Sequence, residues 1–289
     1  MIAFIGSVFS PRYYKARRAG LTTGPDPLRY CAINIALHGP NGQHSWVFNE
    51  YPQEMVETTS QALRIGGTKL SKQSGDLVIN CDERTRPFFE RMAPRLSGEI
   101  VLTPTTWYDQ AFSLDEQGEH QWIGVAPSAR LTARFNHPDL TFSGSAYHDV
   151  NMGSAPLEDA FRFWTWSRAE VQEGTAVIYD VHRSNGSEVK SSRLYRPDGT
   201  IETFNADKSW QLPGGRWGVS RETRSDPGCS PRVVRTLVDS PFYNRSVIET
   251  TLMGQRVKSI HESVNLDRFR QRWVRFLLPW RIETHRGRR

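Results

Sequence analysis

Short strand-forming runs separated by turn residues dominate this 289-residue chain. Val, Ile, Phe, Tyr, Trp and Thr recur in runs of about 4–8 residues, which is the length and composition typical of β-strands. Residues 31–37, 129–135 and 246–252 are examples. Turn signals such as Asn185-Gly186 separate these runs. Strands this short and this numerous predict an all-β protein made of antiparallel barrels or sandwiches.

Helical periodicity is confined to two segments. Residues 52–63 allow a helical turn or two, although their Thr and Ser content weakens the pattern. The C-terminal segment is clearer, because apolar residues at i, i+4, i+7, i+8 and i+11 give one helical face. Asn265 or Asp267 can cap this helix, and Pro279 should end it near Leu278. The residues of the face are Phe269, Trp273, Phe276, Leu277 and Trp280.

The length of the chain is that of about two domains. A motif-rich stretch ends near residues 153–156, and new strand patterning begins after Trp166. We therefore predict two consecutive β domains that pack closely together, residues 1–157 and residues 158–289.

Net charge is concentrated at the C-terminus. The chain carries a net charge of +6, but residues 268–289 hold eight arginines and one acid, Glu283. The rest of the chain is therefore close to neutral and slightly acidic. A basic segment interleaved with Trp and Phe is compatible with nucleic acid, but the acidic body and the lack of a reading motif argue against that partner.

Several classes of protein are excluded. No apolar stretch approaches the roughly 20 residues that a membrane-spanning helix needs. Residues 1–10 lack the features of a signal peptide, and three widely spaced cysteines suit neither a disulfide framework nor a zinc site. No phosphate loop, dinucleotide fingerprint, nucleophile elbow or paired-histidine motif is present. We therefore expect a cytoplasmic protein without a metal or nucleotide cofactor.

The densest group of candidate functional residues lies between His120 and Trp166. Residues two apart in a strand point to the same face. His120 is thus expected to lie beside Trp122, and Tyr147 beside Asp149. An imidazole, an indole, a phenol and a carboxylate on one wall suggest a site. The competing interpretation is structural, with Tyr147 and Asp149 hydrogen-bonded at a barrel rim and the other two filling an interface.

The sequence resembles the carotenoid 1,2-hydratases, also called hydroxyneurosporene synthases, along its whole length. One of the matching blocks is Tyr147-His148-Asp149-Val150-Asn151, and several blocks are long enough to be specific. The chain departs from the family pattern at Ile65-Gly66-Gly67, where a Gly-Pro-Ser turn is expected, and at Ala146, where glycine is common. The other matching blocks are residues 6–11, 13–14, 26–28, 31–37, 126–127, 156–161, 164–167, 177–180, 239–243, 264–269, 273–274 and 278–279.

The resemblance implies two consecutive lipocalin-like antiparallel β-barrel domains, with the active pocket in the N-terminal domain or at the interface. It implies cofactor-free addition of water across the terminal C1=C2 double bond of an acyclic carotenoid of the lycopene or neurosporene type. The acting residues map onto His120, Trp122, Tyr147 and Asp149.

These residues suit the implied chemistry. Protonation of the alkene at C2 gives a tertiary cation at C1, which water then captures. Asp149 is the expected acid if burial against a polyene raises its pKa. The Trp122 ring can stabilise the cation, with help from Tyr147, and His120 can orient or deprotonate the water.

A carotenoid stays in the bilayer, so we expect the basic C-terminal helix to bind a membrane surface, unless that helix only packs on its barrel. Two alternatives to hydration remain open. One is a lipocalin-like carrier that binds a polyene without converting it, and the other is a related two-barrel cyclase or pericyclase.

Overall fold

The computed structural model describes residues 1–7, 9–20, 26–39, 44–85 and 95–285, which are overwhelmingly β-strand. The strands are β1 Ile2–Phe4, β2 Cys31–His38, β3 His44–Tyr51, β4 Val56–Thr58, β5 Ala62–Ile65, β6 Thr68–Gln73, β7 Asp76–Arg84, β8 Arg95–Pro104, β9 Phe112–Ser113, β10 His120–His137, β11 Asp139–Gly153, β12 Phe161–Val171, β13 Gly174–Arg183, β14 Glu188–Tyr195, β15 Ile201–Thr203, β16 Lys208–Leu212, β17 Arg221–Ser225, β18 Arg232–Asp239, β19 Tyr243–Leu252, β20 Gln255–Asn265 and β21 Glu283–Thr284. The helices are α1 Pro11–Arg18, α2 Leu157–Ala160, α3 Leu266–Phe269 and α4 Arg272–Leu277.

The strands form four sheets. Their orders are β1-β2-β3-β21, β11-β10-β8-β7-β6-β5-β4 with β9 added on β10, β15-β14-β13-β12-β20-β19-β18, and the pair β16-β17. The hairpins β2-β3, β12-β13 and β19-β20 are antiparallel, whereas β21 lies parallel to β3. Within the described residues, the pairing leaves both large sheets with open edges rather than closing them into barrels.

The chain forms two compact units. The first unit contains residues 1–104, 130–146 and 275–289, and the second unit contains residues 105–129 and 147–274. The long strands β10 and β11 contribute residues to both units. Each compact unit thus combines segments that are distant in the sequence. The division into residues 1–157 and 158–289 stays a prediction.

The first unit has an apolar core. Alternate residues of β2 point inward, and a two-residue period of this kind buries one face of a sheet. The core also holds Cys31 and Cys81, both free thiols whose pKa values burial raises to about 11. The buried members are Cys31, Ile33, Ile35, Val47, Tyr51, Ile65, Ile79, Cys81, Leu96, Ile100, Ala133 and Phe135.

The second unit buries many polar side chains. Alternation along β19 and β20 turns Ser246 and His261 inward, where the His261 ring contacts the Glu222 carbonyl oxygen at 2.8 Å. The Arg224 guanidinium binds both oxygens of buried Asp180 at 2.7 Å. Because buried charges are stable only when paired, this bidentate contact ties β17 to β13.

The C-terminal helix is short and interrupted. Asn265 caps α3 by accepting a hydrogen bond from the Arg268 backbone N–H, as predicted. A break at residues 270–271 separates α3 from α4, and Pro279 lies in a closing 3-10 turn. Of the predicted apolar face, Phe269 is buried, whereas Phe276 is 68% exposed and Trp280 is 57% exposed.

Of the helical turn or two that residues 52–63 allow, the structure contains one, and the rest of the segment is strand and turn. A 3-10 turn at Gln53–Met55 leads directly into β4 and β5. The Thr59 hydroxyl oxygen accepts a hydrogen bond from the Ala62 backbone N–H at 3.0 Å, and this local contact turns the chain into a hairpin.

The all-β class, the antiparallel sheets and the short C-terminal helix are confirmed. No helix in the described ranges is both long enough and apolar enough to cross a membrane.

Candidate active site

Three of the four predicted site residues meet around one carboxyl group. The Trp122 indole N–H donates to Asp149 Oδ2 at 2.9 Å, and the Tyr147 hydroxyl donates to the same oxygen at 3.1 Å. Trp122 comes from β10, and the other two come from β11 at positions two apart. Because alternate residues share a face, the spacing read from the sequence does place Tyr147 and Asp149 together.

The Asp149 carboxyl is held in a partly desolvated state. Burial raises its pKa to about 6, although the hydrogen bonds from Trp122 and Tyr147 favour the ionised form and oppose this shift. Both hydrogen bonds that the described residues give this carboxyl fall on Oδ2. Since Oδ2 is occupied as an acceptor, Oδ1 is the oxygen that can carry and release a proton.

Aromatic rings surround this carboxyl. The Trp122 ring meets Tyr179 edge-on with centroids 5.6 Å apart, and it meets Tyr195 edge-on at 6.2 Å. The Tyr147 ring lies 4.9 Å from that of Trp166. Aromatic side chains exclude water while their faces attract positive charge. The surroundings of Asp149 can therefore both desolvate an acid and accept a cation.

His120 is buried and makes different contacts. Its Nδ1 lies 2.8 Å from Asp115 Oδ2, and its Nε2 lies 3.0 Å from the Ala155 carbonyl oxygen. Burial opposes ionisation of Asp115, but the hydrogen bonds from His120 and from backbone N–H groups outweigh it and lower the pKa of that carboxyl. Each ring nitrogen of His120 thus lies within hydrogen-bond distance of a protein oxygen.

The Asp115–His120–Ala155 contacts join the start of β10 to the segment that follows β11. A side chain at Gly153 would come within 2.6 Å of the imidazole, so the two segments approach closely. His120 lies two residues before Trp122, and Gly153 lies four after Asp149. These contacts therefore fix the two strands that carry the donors and the acid.

Several residues of the site were not predicted from the sequence. Asp115 gave no signal because it lies in a loop, five residues before its partner. Tyr179, which donates to Asn151 Oδ1 at 3.2 Å, sits in a strand that reads as plain core. Trp166 was not among the residues predicted for the site. Strand pairing brings these residues to the site, and pairing cannot be read from single strands.

A cavity of about 420 Å³ lies in the second unit, with Trp122 and Tyr179 in its wall. Trp122 is the one predicted site residue among those that line it. Its wall combines aromatic rings with charged groups such as Lys190, Arg193 and Asp207. His120, Tyr147 and Asp149 are not among the residues that line this cavity.

The described residues contain no group of three or more His, Cys, Asp or Glu side chains that could hold a metal ion.

The fold and the site together define a class: an all-β protein with a desolvated acid held by Trp and Tyr donors among aromatic rings. The chain belongs to the carotenoid hydratase CrtC family, whose model matches residues 1–289.

Curated relatives match over nearly the whole chain. The acyclic carotenoid 1,2-hydratase of Thiocapsa roseopersicina is 38% identical over 98% of this chain and 68% of its own length. The enzyme of that name from Cereibacter sphaeroides is 34% identical over 99% of both chains. Among solved structures, an AttH candidate from Nitrosomonas europaea shares the fold, with a TM-score of 0.54 and 12% identity over 82% of this chain and 81% of that one.

Proposed function

We propose that this protein adds water across the terminal C1=C2 double bond of an acyclic carotenoid, with Asp149 as the general acid. The family and its curated members support a carotenoid hydratase. The observation that carries the mechanism is the Asp149 carboxyl, whose pKa burial raises to about 6 in an aromatic setting. An acid with this pKa is partly protonated near neutral pH and can donate a proton to a weakly basic alkene.

The reaction proceeds in two steps. The proton on Asp149 Oδ1 passes to C2, so the alkene π electrons form the C2–H bond and C1 becomes a tertiary cation. Water then attacks C1 through its oxygen, and the proton that it loses returns to the Asp149 carboxylate. The acid is regenerated, and the net change is the addition of one water.

Trp122 and Tyr147 stabilise both the Asp149 carboxylate and the substrate cation. Their hydrogen bonds to Oδ2 hold the carboxyl in one orientation, and these bonds strengthen as the carboxylate forms. Their ring faces can stabilise the cation by about 2 kcal/mol each when desolvated. Placing the donors on Oδ2 leaves Oδ1 to face the alkene.

His120 acts as a positioning residue in this account. Its two ring nitrogens contact Asp115 and Ala155, so both positions are already occupied by protein atoms rather than by an attacking water. The role of taking a proton from water, which the sequence suggested for His120, passes to the Asp149 carboxylate. The proton donor and water are the only reagents that this hydro-lyase reaction requires, so we propose that it is independent of a cofactor.

A membrane surface is the proposed partner, because the substrate is dissolved in lipid. Phe276 and Trp280 are exposed beside Arg275 and Arg281, a combination that favours the lipid interface. Arg286, Arg288 and Arg289 lie outside the described residues. We expect sedimentation with anionic vesicles, and we expect Phe276→Ser with Trp280→Ser to reduce it by about tenfold. Equal sedimentation of both forms would contradict this surface.

Product analysis tests the function. Membranes that contain lycopene are incubated with wild-type protein, Asp149→Asn or Asp139→Asn, a matched change at an exposed position of the same strand. We expect a mass gain of one water with wild type and Asp139→Asn, and none with Asp149→Asn. Binding without a mass gain in wild type would identify a carrier, a rearranged isomer would identify a cyclase, and full activity of Asp149→Asn would refute the mechanism.

A further inference from the structure

A row of four side chains crosses the sheet that faces the candidate site. In the pairing of β12 with its neighbours, Trp166 lies opposite Tyr179 on β13 and opposite Glu262 on β20. Glu262 in turn lies opposite Arg245 on β19. Directly paired residues share one face of a sheet. Tyr179, Trp166, Glu262 and Arg245 therefore form a continuous row, aromatic at one end and charged at the other.

The aromatic half of this row contacts the segment that carries the acid. Tyr179 donates to Asn151 at 3.2 Å, and the Trp166 ring packs on Tyr147 with centroids 4.9 Å apart. Asp149 lies between Tyr147 and Asn151 on the same face of β11. The acid therefore lies beside the aromatic half of the row, and Glu262 is the direct neighbour of Trp166 in that row.

The charged half is a single, largely buried ion pair. Arg245 Nη2 lies 2.6 Å from Glu262 Oε1, with the two side chains 25% and 20% exposed. The Arg245 Nε atom is buried and has no hydrogen-bond partner among the described residues. Arg245 thus holds the Glu262 carboxylate through Nη2, while its guanidinium also lies over the Tyr243 ring at 5.9 Å from the centroid.

Charges on the row act on Asp149 in opposite directions. After burial and the hydrogen bond from Trp122, the negative charge of Glu262 is the next largest influence, and it raises the pKa of Asp149. The positive charge of Arg245 lowers this pKa and is the smaller of the two. The ionisable and charged groups that face Asp149 or its donors are Tyr147, Tyr179, Tyr195, Tyr243, Arg168, Arg245 and Glu262.

We propose that Glu262, held by Arg245, is a positioning residue of the hydration reaction, whose negative charge keeps the Asp149 carboxyl protonated between turnovers. This inference rests on the proposed role of Asp149 as the acid. Glu262 transfers no proton itself in this account. A like charge nearby makes it unfavourable for a second carboxyl to ionise, and Arg245 prevents Glu262 from escaping that repulsion by turning away.

The competing explanation is that the pair only fastens β19 to β20. A structural pair would change stability and total activity but would leave the pH at which activity falls unchanged. A charge that acts on Asp149 must move that pH, and the two members of the pair must move it in opposite directions. The pH profile of kcat/KM separates these explanations because it reports the ionisation of the free enzyme.

The test compares pH profiles of carotenoid hydration for wild type, Glu262→Gln and Arg245→Gln. We expect Glu262→Gln to shift the fall in activity to lower pH, with about a tenfold loss at pH 7.5 that recovers to within about twofold at pH 5. We expect Arg245→Gln to shift the fall to higher pH. The matched control is Glu249→Gln, at a position on the same strand as Arg245. This change breaks the ion pairs of Glu249 with Arg232 and Arg256 and should leave the profile unchanged.

The double variant Glu262→Gln with Arg245→Gln keeps the test decisive if a single change impairs folding, since it leaves no unpaired charge. Its profile should lie between those of wild type and Glu262→Gln, because the two removed charges oppose each other and that of Glu262 has the larger effect. Profiles that coincide in all folded variants would overturn the inference while Asp149→Asn remained inactive. Activity in Asp149→Asn would instead overturn the proposed function.

Discussion

Two buried carboxyls, Glu83 in the first unit and Asp149 in the second, differ in how their oxygens are used. Thr68 donates to Glu83 Oε1 at 2.6 Å, while Asn49, at 2.6 Å, and the Tyr51 hydroxyl donate to Oε2. Among the described residues, Asp149 receives its two hydrogen bonds on one oxygen. A carboxyl with both oxygens engaged is built into the fold, whereas one with a free oxygen can exchange a proton.

Burial by itself does not distinguish the two groups. It raises the pKa of Glu83 as well, with the hydrogen bonds from Thr68, Tyr51 and Asn49 opposing the shift. Glu83 is completely buried, while Asp149 keeps partial access. A perturbed pKa therefore marks a reactive group only when geometry leaves an atom free to react.

Activity should separate the two carboxyls most strongly. We expect Asp149→Asn to lower hydration by roughly 10³-fold, the scale of a lost general acid. We expect Glu83→Gln, which keeps the side-chain shape and leaves the site untouched, to remain within about threefold of wild type. Rates of product formation in lycopene-containing membranes measure the activity of both variants. Equal losses of activity would contradict the proposed difference between the two carboxyls.

Stability should show the reverse order. Glu83→Ala leaves the donors on Asn49, Tyr51 and Thr68 without a shared acceptor, so we expect the free energy of unfolding to fall by about 3 kcal/mol. Urea unfolding followed by circular dichroism measures this loss. A change below about 0.5 kcal/mol would mean that Glu83 does not organise the first unit.

Activity should fall with rising pH. Asp149 must be protonated to act, so kcat/KM should be maximal well below pH 6 and should fall about tenfold for each pH unit well above it. The measurement needs the pH range in which the protein stays folded, checked by circular dichroism. Activity that rose with pH through this range would point to a base rather than an acid.

The smallest expected effect is a gain in stability from Asp149→Asn. The folded-state pKa of about 6 lies above the ordinary value near 4, so the native state loses stability as pH rises from 4 to 6 and stays at the lower level above that. Asn avoids this cost, and its carbonyl oxygen can still accept from Trp122 and Tyr147. We expect about 1–3 kcal/mol more stability than wild type at pH 7, vanishing at pH 4, by urea unfolding.

The sequence correctly placed Tyr147 beside Asp149 and correctly indicated the fold class. Alternation along one strand was enough to place Tyr147 beside Asp149, and the composition of the runs was enough for the all-β class. Both inferences depend only on contacts within one strand or on average composition.

Features that depend on pairing between distant segments could not be predicted from the sequence. Glu83 belongs to no motif, and its three donors come from β3 and β6. His120 carried a catalytic expectation because imidazole suits proton transfer, but its partners Asp115 and Ala155 appear only when the chain folds. Residues 52–63 form only one of the helical turns that their sequence allows, because a Thr59 contact turns the chain into a hairpin.

The most direct test of the account is the titration of the Asp149 carboxyl itself. Infrared difference spectra between wild type and Asp149→Asn, recorded from pH 4 to pH 8, isolate the C=O stretch of the protonated acid. We predict that this band is present at pH 5 and disappears with a midpoint at about pH 6. A midpoint near pH 4 would show an ordinary exposed carboxyl and would contradict the assignment of Asp149 as the acid.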